Sequence, residues 1–126
     1  MNDSAKPVNG FENLEVFKRA YKVSLEIHSL TMNFPKHEQY AGLADQMRRA
    51  SKGICANIAE GYGKQSISTA EFRRFLLIAI GSADEMRVWI RYCLDLEYIT
   101  QDSWQKFKTE YQQIARMLTG LHRSWK

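Results

Sequence analysis

The stretch RRASKGICANIAEGYGK, residues 48–64, decides between two very different proteins. Read as a glycine-rich loop, its Gly61-Tyr62-Gly63-Lys64 would cradle a phosphate. Read as the last turns of a helix, it belongs to a bundle. A Walker loop needs G-x-x-x-x-G-K-[ST] after a strand. Here Gln65 follows Gly63-Lys64, and Ile58 stands where the first glycine belongs. The dinucleotide fingerprint G-x-G-x-x-G fails as well, with Ser66 at its third glycine. What precedes the glycines is helical in period: Leu43, Met47, Ala50, Ile54, Asn57 and Gly61 recur at spacings of three and four. The stretch therefore reads as a helix ending at Gly61 or Gly63, either of which suits the left-handed residue of a helix C-terminus.

The same period extends in both directions. Upstream, Val16, Ala20, Val23, Ile27, Leu30 and Phe34 form a stripe that Pro35 stops. Downstream, Phe72, Leu76, Ala79, Ala83, Met86, Ile90 and Cys93 form a third, opened by a Ser68-x-x-Glu71 capping box. Trp104, Phe107, Tyr111, Ile114, Leu118, Leu121 and Trp125 form a fourth, with Thr100 as N-cap and Gly120 as a point of early fraying. No strand alternation interrupts them. Short connections between long amphipathic helices imply an all-α, antiparallel up-down four-helix bundle over residues 11–126. Residues 1–10 read as a flexible arm, too polar for a signal peptide.

Composition agrees. The chain has 126 residues, of which 44% are apolar and 25% charged, the balance of one soluble domain. It holds two cysteines, Cys55 and Cys93, each inside a helical stripe, so reduced buried thiols are expected rather than a disulfide framework. No apolar run approaches the roughly 20 residues of a membrane span. The expectation is a cytoplasmic protein with no membrane association.

Chemistry is sparse. His28, His37 and His122 lack any metal-ligand spacing, no Glu-x-x-His pair exists for a bundle di-metal site, and Asp84 and Glu85 point apart on their helix. The sequence thus implies no catalytic residue, no metal and no cofactor, and a non-enzyme. Asn57 breaks an apolar seam, where a polar residue can set register or oligomeric state. It could also bond to loop backbone near Gly61. Glu60, beside the turn, is placed to pair with Arg48, Arg49 or another chain. Gly53 on the small-residue seam implies a tight helix crossing.

Charge is the stronger signal. Residues 48–91 hold eight cations against four acids, a surplus that equals the +4 of the whole chain. Arg87 and Arg91 read as intrahelical salt-bridge partners of Asp84 and Asp95. Arg48, Arg49, Lys52, Lys64, Arg73 and Arg74 are left as candidate phosphate contacts on a basic face of the second and third helices. No base-reading motif accompanies them.

The segments FENLEVFKRAYKVSLEIHSLTMNFPKHEQYAGLADQMRRASKGICANIAEGYGK (residues 11–64), EFRRFLLIAIGSADEMRVWIRYCLDLEYI (residues 71–99) and RML (residues 116–118) resemble the ribosomal (23S rRNA) intervening-sequence family of four-helix bundle proteins. The order Arg-Arg-Ala, Asn-Ile-Ala-Glu-Gly, Gly-Ser-Ala is the most specific part. Gly53-Ile54-Cys55-Ala56 departs from the Ser-Ile-Pro-Ser often found there. The resemblance implies a bacterial homo-oligomeric ring, typically a pentamer. It also implies kinship with the accessory variability determinant of diversity-generating retroelements, a basic pentamer that binds nucleic acid and a reverse transcriptase. The expected partners are other copies of the chain and structured RNA. The alternative is a protein-interaction scaffold, such as an accessory protein of a reverse transcriptase.

Overall fold

A computed structural model describes residues 10–125, which form four α-helices and no strand. They are α1 (Glu15–Thr31), α2 (Leu43–Gly63), α3 (Thr69–Asp95) and α4 (Gln101–Ser124), with short 3-10 turns at Phe11–Asn13 and Lys36–Glu38. The arm expected over residues 1–10 lies, but for Gly10, outside the described residues.

The apolar stripes become the core. Ile27, Met47, Ile54, Phe72, Leu76, Ile90, Ile114 and Leu118 are all but fully buried. One position of the α2 stripe differs from its reading. Ile58 is fully buried, whereas Asn57 is only half-buried. Helical spacing allows a step of three or four after Ile54, and burial favours the apolar residue.

Local chemistry sets the helix ends. Ser68 Oγ accepts from the Glu71 N–H at 3.1 Å and Thr100 Oγ1 from the Ser103 N–H at 3.1 Å. The capping box at α3 is only half made, because the Glu71 carboxylate turns to Arg74 instead of reaching back. The first helix stops at Thr31, before Pro35, and Gln39 Nε2 donates to the Thr31 and Phe34 carbonyls left open there. Phe34 then folds into the core against Tyr98, 5.0 Å between ring centroids. Gly120 does not end α4, which continues to Ser124.

Neither Gly61 nor Gly63 takes a left-handed conformation; both stay within α2. Gly61 is needed for another reason. A Cβ there would sit 2.6 Å from Phe75 Cβ and 3.4 Å from the Phe72 carbonyl oxygen, so α2 and α3 cross with no room for a side chain at this point. Gly53 is not such a crossing, since its Cβ would meet only Ser82 Oγ at 3.9 Å. The left-handed helix end lies on α3 instead, at Glu97 with φ 63°. The Tyr98 N–H there donates to the Cys93 carbonyl at 2.8 Å, a Schellman closure around a residue with a Cβ.

Side-chain contacts between helices position the surface. The Cys93 thiol donates to Met47 Sδ at 3.4 Å, joining the end of α3 to the start of α2. Arg19 donates two bonds of 2.9 Å to the Glu110 carboxylate, joining α1 to α4.

Candidate nucleic-acid interface

The six cations selected from the sequence fall into two groups along α2. Arg48, Arg49 and Lys52 lie near the start of α2, whereas Lys64 caps its far end. At 1.5 Å per residue, Arg48 and Lys64 are about 24 Å apart along the axis. Arg73 and Arg74 join Lys64, because α3 begins where α2 ends.

Within each group the side chains have different tasks. Arg48 is half-buried and donates to Thr31 Oγ1 at 3.2 Å and to Gln39 Oε1. It therefore fastens the α1–α2 connection. Arg73 donates from Nε to the His122 carbonyl at 3.2 Å and holds the end of α4 against α3. Arg49, Lys52 and Arg74 are exposed. Arg49 reaches Asp45 at 2.9 Å and, through that hydrogen bond, keeps the Asp45 carboxyl below its ordinary range. Lys52 Nζ donates to His28 Nδ1 at 2.9 Å across to α1. Arg74 pairs with Glu71 and covers the Phe75 ring at 4.6 Å. Arg74 foremost, and Lys64 more weakly, hold the Glu71 carboxyl down.

Asn57 donates to the Gly53 carbonyl at 2.8 Å, within its own helix, and not to loop backbone near Gly61. Glu60 is exposed and faces the charge of Arg74. Eleven residues of helix, about 17 Å, separate it from Arg49. The two expected ladders form, Arg87 to Asp84 at 3.2 Å and Arg91 to Asp95 at 3.0 Å.

Little here resembles an activated nucleophile. Burial pushes the Cys55 thiol up to about 11 and the Cys93 thiol up to about 12, so both stay protonated at neutral pH. No group of three His, Cys, Asp or Glu able to hold a metal occurs among the described residues. No helix among them is long and apolar enough to cross a membrane.

Two surface features go beyond the sequence-based expectations. Arg87, Arg116 and Arg123 rim a groove between α3 and α4. Its signal in the sequence is the pair Arg116 and Arg123, seven apart on one helix face and outside the span 48–91 that holds the charge surplus. Large apolar side chains also stay in solvent on two helices. Leu77, Val88 and Tyr92 line the outer side of α3, and Tyr21, Leu25 and Met32 line α1. Their spacing is helical in both cases, so each is a stripe and not a scatter.

A family model described as 23S rRNA-intervening sequence protein matches residues 12–120. The fold is similar to a crystal structure of a protein of unknown function from the S23 ribosomal protein family of Bacteroides thetaiotaomicron. The TM-score is 0.76 and the identity 24%, over 86% of this chain and 95% of that one. No curated protein matches the sequence.

Proposed function

We propose, for a chain that belongs to the 23S rRNA-intervening sequence protein family, a non-enzymatic role as a homo-oligomer that binds structured RNA through its backbone phosphates in the cytoplasm. The observation that carries this reading is the set of exposed cation heads at both ends of α2, on a chain with a net charge of +4. Arg49 and Lys52 supply one group; Arg74 with the half-buried Lys64 supplies the other. Arg48 and Arg73 serve by holding the helices that present them.

An antiparallel up-down arrangement is supported by the contacts of helix ends, Gly61 with Phe75 and Met47 with Cys93. Ring assembly is supported by the two unlike apolar stripes on α1 and α3. A ring closes through two different surfaces per subunit, each meeting the other on the next copy. The pentameric number rests on family resemblance. Repetition would gather the modest charge of each chain into a dense cationic surface, with steep salt dependence of binding.

The test is a titration of labelled hairpin RNA with nucleic-acid-free protein at several salt concentrations, native against R49E/K52E. The log-log salt slope should fall by about one for each phosphate that the variant no longer neutralises. A variant that stays folded by circular dichroism and binds as the native chain does would remove these residues from the interface.

The exposed apolar side of α3 favours a second reading, a scaffold for a protein partner such as a reverse transcriptase. Recovery of one such partner from cells after nuclease treatment, abolished by Val88→Asp, would favour it over RNA.

A further inference from the structure

The groove between α3 and α4 is built differently from the cation groups on α2. It is open, with a volume of about 510 Å³. Ile80 and Ala115 give it an apolar floor, and a Cβ added at Gly120 would meet nothing within 4 Å. Arg87, Arg116 and Arg123 stand around it with a single acid, Asp84, which Arg87 already holds at 3.2 Å.

Two of these arginines are exceptional within the chain. Arg19, Arg49, Arg74, Arg87 and Arg91 each pair with a carboxylate. Arg48 and Arg73 each donate to neutral oxygens. The side chains of Arg116 and Arg123, both exposed, have no hydrogen bond, ion pair or ring contact among the described residues. The two guanidiniums without a partner among the described residues are thus two that line one groove. Seven residues apart, they lie on the same side of α4, about 10.5 Å from each other along its axis. Thr119 adds a hydroxyl to the wall between them.

A guanidinium is a planar fork of donors matched to phosphate oxygens. A cleft lined by one sign of charge, with low-dielectric walls, focuses its field on an entering anion. The groove is open at the surface, and its two unpaired cations stand about 10.5 Å apart along α4, which suits a chain with spaced charges better than a compact anion. We infer that the α3–α4 groove seats the phosphodiester backbone of a nucleic-acid strand, with Arg116 and Arg123 on separate phosphates and Arg87 on the facing wall. This rests on the nucleic-acid reading above and adds to it a contact site that lies off the second helix.

The test uses the full chain in four forms: native, R116E/R123E, R116K/R123K and R49E/K52E. Labelled hairpin RNA and tripolyphosphate are the two probes. With RNA, R116E/R123E should weaken binding at least 100-fold, on the order of tenfold for each charge-assisted contact. It should also lower the log-log salt slope by about two. R116K/R123K should recover part of the affinity, because charge returns without the fork. If RNA binds the native chain and only R49E/K52E weakens it, the groove assignment is overturned while the nucleic-acid reading stands. If the native chain binds no RNA at low salt, both fall. Uptake of tripolyphosphate through these arginines by a chain that binds no RNA would likewise overturn the strand assignment. Both side chains are exposed, and circular dichroism of each variant verifies that the bundle is intact.

Discussion

Replacing Gly61 with alanine puts a methyl group where α2 and α3 cross. The new Cβ would lie 2.6 Å from Phe75 Cβ, 3.3 Å from Phe72 Cδ1 and 3.4 Å from the Phe72 carbonyl oxygen. Carbon atoms in contact sit roughly 3.5–4.0 Å apart, so the helices must separate by about 1 Å or rotate. Phe75 Cβ is rooted in its backbone and cannot swing aside. Two opposing terms decide the sign. Alanine is favoured over glycine inside a helix by about 1 kcal/mol. Overpacking a well-filled crossing costs about 1–3 kcal/mol, and parting the helices also loosens the packing of Phe72 and Leu76. The net loss should be about 1–2 kcal/mol. For 126 residues the unfolding entropy near the midpoint makes 1 kcal/mol worth about 4 °C, so Tm should fall by about 4–8 °C. Gly53→Ala is the internal control. Its Cβ meets only Ser82 Oγ at 3.9 Å, so the propensity gain is unopposed and Tm should rise by up to about 4 °C. Scanning calorimetry of the three proteins at one chain concentration measures both, because self-association would make Tm depend on concentration. A Gly61→Ala protein that melts at or above the native value would refute the close crossing.

Three other perturbations read different parts of the fold. Glu97→Gly should stabilise by about 1 kcal/mol in urea unfolding, because glycine adopts the left-handed φ of 63° without steric cost. An unchanged midpoint would show that the Glu97 side chain offsets its own strain through a favourable interaction. Tyr111→Phe should also stabilise, by about 1 kcal/mol, since the buried Tyr111 hydroxyl has no hydrogen-bond partner among the described residues; a clear loss of stability would mean that the hydroxyl is satisfied. Glu38 tests pH dependence. The Leu43 N–H, then the Tyr98 hydroxyl, hold its carboxyl below the ordinary 4.5. A lowered carboxyl contributes stability that is present above that value and lost as pH falls through the folded one. Glu38→Gln should therefore cost stability at pH 7, and its difference from the native chain should shrink as pH falls below 4.5. A difference that stays constant from pH 7 to about 3 would show that the carboxylate charge is not involved.

What was legible in the sequence is what acts over a few residues. The four helices followed from apolar spacing, the starts of α3 and α4 from Ser68 and Thr100, and the pairing of Arg87 and Arg91 from acids one turn away. Family membership was legible too, because it rests on the order of residues along the chain. Partners distant in the chain were not. Arg48 and Arg73 look like surface charge until the α1–α2 connection and the end of α4 are brought against them. Gly53 and Gly61 look alike on one helix, yet only Gly61 has Phe75 Cβ pressed against it. Arg116 and Arg123 count as two more cations until α3 supplies the opposite wall of their groove. Helix propensity, capping and pairing one turn apart are decided within a single helix, so the sequence determines them directly. Whether a side chain becomes a latch, a crossing or an open cation depends on which helix packs opposite it, and that is decided only when the bundle closes.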